Sequence, residues 1–362
     1  MLLHLRHLNC RLILAAALPL ASISLAQAAD PKTAEEVYKN ITQLKGTPAD
    51  QLGPAMQFIA VSLGVECSFC HVQGKMDADD KPAKKAARDM MAMMAMINKT
   101  SFNGRQEVTC YSCHHGLAHP ASVPPVLESD AAAPKPMAPA TAGQGSTADE
   151  IVEKYATALG GPDALRKITS RVEKGVILAN GSESPIEVFS QAPNKRITVT
   201  HMGSGESFTA FDGAAGWMGN TGRPARDMSP AESWASSLDA EFYLGLRLKE
   251  IFPQIRRTRP ETIDGVECET LQATAAGRPG VRLSFDRNSG LLVREVRYAQ
   301  TPLGRMPTQI DYADYRNADG VKIPFRWTLS RPNGRFTIQI KEVRSNVEIK
   351  DDRFAKPAGE VH

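Results

Sequence analysis

Two short runs of residues could act together chemically: Cys67-Ser68-Phe69-Cys70-His71 and Cys110-Tyr111-Ser112-Cys113-His114. Each is a C-x-x-C-H sequence. Two thiols at this spacing can bond to the two vinyl groups on one edge of a porphyrin. The histidine that follows then lies under the iron as its proximal ligand. The chemistry specified is covalent attachment of two haem c groups through Cys67, Cys70, Cys110 and Cys113, with His71 and His114 on the irons. Zinc needs no histidine after each second cysteine. A thioredoxin-like redox pair would sit beside a β-α-β pattern, which this sequence does not show. Plain disulfides would ask only for an oxidising compartment.

The first residues, MLLHLRHLNCRLILAAALPLASISLAQAAD, bear on that compartment. Arg6 and Arg11 precede an apolar run, Leu12 to Leu25, and Ala26-Gln27-Ala28 forms a small-x-small cleavage site. Residues 1–28 therefore read as a cleaved secretion signal. A membrane anchor would need a longer apolar run. Cys10 precedes the apolar run, which does not suit a lipoprotein cysteine. No later stretch is long and apolar enough to span a bilayer, so the expectation is an exported, periplasmic protein without a transmembrane segment. Cys268 stands alone in a strand-rich segment and reads as a small buried hydrophobe. A formal net charge of +3 over 362 residues indicates no nucleic acid or other polyanionic partner. The length fits two domains.

The elements that must position the two runs are helices. Thr33-Ala34-Glu35-Glu36 reads as a capping box opening a helix with Val37, Ile41 and Leu44 on one face, ending near Gly46. Pro54 suits the first turn of a second helix, with Met56, Ile59, Ala60 and Leu63 on a shared face and Gly64 as its stop. The first C-x-x-C-H follows at once. Asp79-Asp80-Lys81-Pro82 opens a third helix whose acidic start suits the helix dipole. It runs to about Asn98 and carries Met90, Met91, Met93, Met94 and Met96. Phe102-Asn103-Gly104 breaks it, and Val108-Thr109 leads into the second motif. Helix, turn and motif thus occur twice, an internal repeat. The expected cytochrome domain covers 29–125.

Residues 126–146 read as a proline- and alanine-rich linker. Thr147-Ala148-Asp149-Glu150 is a second capping box, and the helix it opens is stopped by Gly160-Gly161. Beyond Ser170 the period becomes alternating. Ten strands are expected between Val172 and Val343, with turns at Asn288-Ser289-Gly290, Asp319-Gly320 and Asn333-Gly334. One helical insertion, Pro230 to Phe252, carries Trp234, Leu238, Phe242 and Leu246 at a spacing of four. The expected fold class is multidomain: an N-terminal all-α dihaem cytochrome domain, then a C-terminal α+β domain over 147–357 with a curved antiparallel sheet.

The segment from about Glu35 to Pro125 resembles the cytochrome c subunit family of photosynthetic reaction centres. The residues carrying the likeness are Met56-Gln57-Phe58-Ile59, Leu63 to His71, Ala87-Arg88-Asp89-Met90, Ile97-Asn98, and Val108 to His114. The resemblance implies a methionine-bearing helix before each motif, with methionine on one haem face and histidine on the other. This chain has two haem motifs where that family usually has four, and it lacks the lipid-anchor cysteine that many members carry. These departures point to a two-haem relative serving another electron pathway. More weakly, the segment from about Ala148 to Pro357 is similar to the periplasmic lipoprotein-carrier fold. The cues are Ala158-Leu159-Gly160-Gly161, Asp311-Tyr312-Ala313-Asp314-Tyr315 and Gly320-Val321-Lys322-Ile323-Pro324. That fold can hold an acyl chain; the plainer reading is a docking or scaffold domain.

Met56, on the helix just upstream of Cys67, suits the distal face of the first haem. Its alternative is a core methionine. For the second haem the resemblance selects Met93, placed by Ile97-Asn98, with Met90 one turn earlier as runner-up. Met91, Met94 and Met96 then pack against the macrocycle or the core. His115 and His119 follow Cys113 too closely to reach the other face. Arg88 could pair with a haem propionate or lie on a solvated helix face. His201 has no neighbour in sequence to make a site. The leading function is an exported electron-transfer protein relaying single electrons between redox partner proteins, and not an enzyme. One rival is a dihaem peroxidase or reductase, which needs an iron with an open position. The other is a carrier of an apolar ligand in the C-terminal domain. An apolar cavity there favours it; a concavity filled by the protein's own side chains disfavours it.

Overall fold

A computed structural model of the chain describes residues 31–120, 146–179, 181–332 and 334–359. Residues 1–28, expected to be a secretion signal, with Cys10 among them, Asn333 and all but the last residue of the segment expected as a linker (126–146) lie outside them.

The helical region begins with a difference. The helix expected from Thr33 to Gly46 is one turn, α1 (Ala34–Val37). Its capping box forms, but Asn40 and Leu44 take positive φ (59° and 62°), and the chain folds back on itself. Both Glu35 carboxylate oxygens accept from Gly46 N at 2.9 and 3.0 Å, and Ala34 N donates to Thr47 O. The loop thus closes on its own start, and Val37 is left exposed. α2 (Leu52–Leu63) follows, with Pro54 in its first turn. Gly64 caps it in the left-handed conformation at φ 65°, as expected for a glycine stop. The first motif is the single turn α3 (Cys67–Cys70). α4 (Pro82–Ser101) is the methionine helix, and the second motif is the single turn α5 (Cys110–His114). The repeat of helix, turn and motif is present twice.

Ala55, Phe58 and Ile59 of α2 and Met94 of α4 form the small buried core of this region, with Met56, Met91, Val108 and Cys110 packed against it. Its remaining buried member, Leu303, comes from the C-terminal region. α5 is stitched to α2 by Gly116 N donating to Ser62 O at 2.9 Å. A Cβ on Gly64 would lie 2.1 Å from the Gly116 carbonyl oxygen, so glycine is required there by close approach as well as by φ.

The C-terminal region opens with α6 (Ala148–Ala158) and α7 (Pro162–Lys167). The chain then runs β1 (Ser170–Ala179), β2 (Ser182–Gln191), β3 (Lys195–Met202), β4 (Gly205–Phe211), β5 (Gly216–Asn220) and β6 (Arg226–Asp227). Two helices follow, α8 (Pro230–Ala240) and α9 (Leu244–Ile251). The remaining strands are β7 (Gln254–Arg257), β8 (Glu261–Ile263), β9 (Val266–Ala275), β10 (Arg278–Asp286), β11 (Leu292–Thr301), β12 (Gly304–Ala318), β13 (Val321–Arg331) and β14 (Gly334–Ser345). All pair antiparallel in one sheet of order β6-β5-β4-β3-β2-β1-β14-β13-β12-β11-β10-β9-β7, with β8 on β9. The ten expected strands are β1–β4 and β9–β14. The four others are short or lie at the sheet ends, where alternation has too few residues to register. Register shifts at Lys174/Gly175 and Ser284/Phe285 are β-bulges. At the first, Gly175 lets Gln339 O approach to where a Cβ would stand.

The helical insertion is two helices. It breaks at Glu241–Tyr243, where Phe242 N bonds Pro193 O. α6 to α9 lay their apolar faces on one side of the sheet. Tyr155, Leu159, Leu238, Leu248 and Phe252 join Leu271, Leu283, Phe285, Ile323 and Ile340 in the main core. The core on that face is built from the protein's own side chains. A cleft of about 730 Å³ at its rim has mixed lining, with Asn194, Glu241, Arg247 and Arg278 beside Trp234. A second, smaller core (Ile197, Val199, Phe208, Trp217) is closed by Phe354, whose carbonyl accepts from Trp217 Nε1 at 2.8 Å.

Two joints fix the layout. Gly160 stands where a Cβ would meet Gly320 O, and Lys322 N donates to Leu159 O, so α6 is seated on the β12–β13 turn. The Gly160-Gly161 stop and the Asp319-Gly320 turn singled out in the sequence thus meet, through Gly160 and Gly320. The β11–β12 hairpin tip reaches the helical region: Leu303 is 3% exposed, and the Phe58 ring occupies the space that a Cβ on Gly304 would need. Gln106 Nε2 donates to Pro302 O at 2.7 Å, and Gln300 Nε2 donates to Gln106 Oε1.

Candidate functional site

Each C-x-x-C pair is one helical turn. Positions i and i+3 of a helix share a side, so Cys67 and Cys70, and Cys110 and Cys113, are presented together, with the histidine next in line. No disulfide forms among these four. Burial pushes the Cys70 and Cys110 thiols up, away from the thiolate form that metal ions bind. Among the described residues no three of His, Cys, Asp and Glu come together as an ion-binding group.

The histidines are held alike. His71 Nδ1 lies 2.9 Å from Met76 O, and His114 Nδ1 lies 2.9 Å from Leu117 O. A ring nitrogen beside a backbone carbonyl carries the proton, which leaves Nε2 of each imidazole as the free lone pair a metal would use. The two motifs reach this arrangement through different loops, so the shared geometry belongs to the histidines.

The first motif opens onto a cleft of about 550 Å³, within the range of small-molecule sites. Its walls are mostly apolar: Ile41, Leu44, Met56, Ile59 and Met91, together with Cys67, Cys70 and His71. The thiols, the oriented histidine and a thioether from α2 are therefore brought to one apolar space, which suits a porphyrin. Met91 lines the same space and is a rival to Met56 that the sequence placed elsewhere.

The polar end of this cleft differs from expectation. Asp79 does not serve the N-terminus of α4. It bonds Arg88 Nη1 (2.9 Å), Lys84 Nζ (3.1 Å) and Asn40 Nδ2 (3.0 Å), and Arg88 foremost holds its carboxyl well below the usual carboxylate range. Arg88 also donates to Asn40 O, so it is bound to the chain's own groups; neither a free propionate partner nor a bare helix face describes it. Lys84 is buried and gives its remaining hydrogen bonds to Met76 O and Ala78 O. Spacing carried no sign of these partners, because they come from three separate segments.

The second motif is more open. Met90, Met93, Tyr111 and Leu117 are exposed apolar side chains, and Met90 and Met93 share a face of α4. Met94 is buried in the core and Met91 packs on it, as expected of them, and Met96 is 60% exposed and not part of that core. Asn98, buried, fixes the approach to the motif: it donates to Val108 O and accepts from Glu107 N and Val108 N. His115 caps α5 in a left-handed turn against Tyr111, and His119 is exposed. His201 does have neighbours: Nδ1 lies 2.7 Å from Glu206, and Glu187 is 3.9 Å away, a surface cluster that crosses strands. Cys268 is fully buried, and burial pushes its thiol up to about 11.

A helical pair of histidine-terminated cysteine motifs on apolar ground offers groups of the kind that hold haem c. The comparisons with known proteins agree for this part of the chain. The family described as photosynthetic reaction centre cytochrome C subunit matches residues 9–159. A photosynthetic reaction center cytochrome c subunit of Thermochromatium tepidum is 33% identical over 104 residues, which is 27% of this chain and 25% of that protein. The chain thus spans about a quarter of the length of that curated relative. Among solved structures, a DUF1329 family protein from Desulfovibrio piger covers 57% of this chain and 97% of its own, at 13% identity and TM-score 0.42. A LolA superfamily protein from Nitrosomonas europaea covers 59% and 99%, at 16% identity and TM-score 0.42. The likeness read from the sequence for the helical part finds its counterpart in the family model and in the Thermochromatium tepidum protein. No helix among the described residues is long and apolar enough to cross a membrane.

Proposed function

We propose that this chain is an exported dihaem c-type cytochrome that relays single electrons between redox partner proteins. Haem would be held through Cys67 and Cys70 with His71, and through Cys110 and Cys113 with His114. The observation that carries the reading is the matched pair of Nδ1-to-carbonyl contacts at 2.9 Å, which leave both Nε2 atoms for iron. A bound haem supplies an iron that exchanges one electron at a time.

The chain's own residues do the rest. Met76 O and Leu117 O orient the two imidazoles. Met56 is proposed as the distal ligand of the first site, since it lines the cleft that Cys67, Cys70 and His71 enter. Met93 is proposed for the second, on the exposed α4 face. Thioethers from Met56 and Met93 on the two irons would leave no coordination site for a substrate, which favours a relay over a peroxidase or reductase. Ile41, Leu44 and Ile59, which line the cleft, would keep water from a haem held there. The sheet region would act as a scaffold or docking unit, since its covered face is packed by α6 to α9.

The test is optical. Both haems should be low-spin in both oxidation states, and the reduced protein should be slow to bind carbon monoxide. A wild-type protein with one high-spin haem that turns over peroxide would replace the relay with the enzyme.

A further inference from the structure

The two histidines are oriented alike, but the carbonyls that orient them are not. Met76 O accepts from His71 Nδ1 at 2.9 Å and also from Lys84 Nζ at 3.0 Å. Leu117 O accepts from His114 Nδ1, and among the described residues no charged side chain shares it. Lys84 is 9% exposed. Its three ammonium hydrogens have three acceptors: Met76 O, Ala78 O and Asp79 Oδ1. An ammonium this far buried is kept only where every donor is answered. Asp79 is shared with Arg88, so two cations face one carboxylate at this end of the cleft.

We propose that Lys84 sets the two sites apart in potential, making the His71 site the more readily reduced of the pair. The proposal rests on the two-haem reading and deepens it. Two effects of Lys84 have the same sign. By drawing on the lone pairs of Met76 O, it weakens that carbonyl's pull on the His71 N–H. The imidazole then donates less electron density, and the ferric state loses support. Its charge, in a partly dehydrated place, also opposes the extra positive charge of the ferric state. At the second site, Leu117 O shares its lone pairs with no such cation among the described residues. Electrons entering the molecule would come to rest at the His71 site. Lys84 is a positioning residue, acting through Met76 and His71.

A redox titration of the holoprotein, resolved into two one-electron steps, tests this on wild type, Lys84→Met and Asp79→Asn. Each is first checked for two haem masses. Lys84→Met keeps most of the buried stem and removes the charge and donors. Its upper step should fall, the reduced-to-oxidised ratio at fixed potential dropping about tenfold, or about 59 mV for one electron. The lower step should stay in place. Asp79→Asn removes the opposing carboxylate and keeps Lys84, so it should raise the upper step. Opposite signs exclude simple loosening, which admits water and lowers the potential in both variants. Two haems with no shift, shifts of the same sign, or a shift of the lower step alone overturn the proposal. If Lys84→Met does not accumulate, Asp79→Asn decides: a raised upper step supports it and any other result overturns it. Fewer than two haems in the wild type would overturn the two-haem reading and this proposal with it, and the mass measurement tells that failure apart.

Discussion

Met56 and Met91 line the same apolar cleft as His71, yet they come from helices that meet it differently. Both pack on the core formed with Met94, but Met56 lies on α2, which leads directly into Cys67, whereas Met91 lies on α4, which leads toward the second motif. Met56→Ala should therefore open the first site, giving a partly high-spin haem with a lowered or broadened potential, while Met91→Ala should mainly cost stability. At the second site Met93→Ala should do the same and Met90→Ala should do little. Absorbance and paramagnetic resonance of the four variants separate these outcomes, and the reverse pattern would move the first ligand to Met91 on α4 or the second by one turn to Met90. None of the four should release haem, since thioether bonds do not depend on the distal residue. At this scale the sequence was most legible where chemistry fixes local spacing, as in the motifs and in Cys268. It was least legible where partners converge from distant segments. Arg88 read as either a propionate partner or a solvated face, but its carboxylate is Asp79 and its carbonyl is Asn40.

Elements set by dense local signals agree with their expectation, and those set by tertiary closure do not. Gly64 stops α2 and Thr147 caps α6, both through neighbouring backbone. The helix expected after Thr33 has apolar residues at helical spacing, but Glu35 bonding to Gly46 N turns the chain back before a second turn can form. The insertion expected as one helix keeps its apolar spacing across a break, because Phe242 is held by Pro193 O while its ring still faces inward. The sharpest element-scale prediction concerns the α2–α5 joint. Gly64→Ala combines a positive φ with a Cβ placed 2.1 Å from Gly116 O. It should destabilise the helical region by about 1–3 kcal/mol, read as a lower denaturation midpoint followed in the haem bands. An unchanged midpoint would mean that the joint opens freely and does not hold the second motif.

For the molecule as a whole, the question is how the helical region is held against the sheet. The β11–β12 tip places Leu303 among Ala55, Phe58, Ile59 and Met94, a core that also borders Met56 and Cys110. The sheet region thus contributes to the floor beneath both motifs, a link that the 126–146 segment did not reveal, since no sequence pattern marks Pro302-Leu303 as anything but a turn. All three tryptophans, Trp217, Trp234 and Trp327, belong to the sheet region, so their fluorescence reports on it while haem absorbance reports on the helices. In the wild type the two signals should be lost in one transition. Leu303→Ala removes a buried side chain, a change of the kind that costs about 2–5 kcal/mol. It should split the transition, with the haem signal lost first. Coincident, unshifted curves in the variant would show that the hairpin tip is not the latch.

All of this depends on two haems being attached. Mass spectrometry of the denatured mature chain tests it most directly, because only covalent groups survive denaturation. Two complete motifs predict the polypeptide plus two haem masses, located by fragmentation at Cys67/Cys70 and Cys110/Cys113. A chain carrying one haem or none would contradict the account.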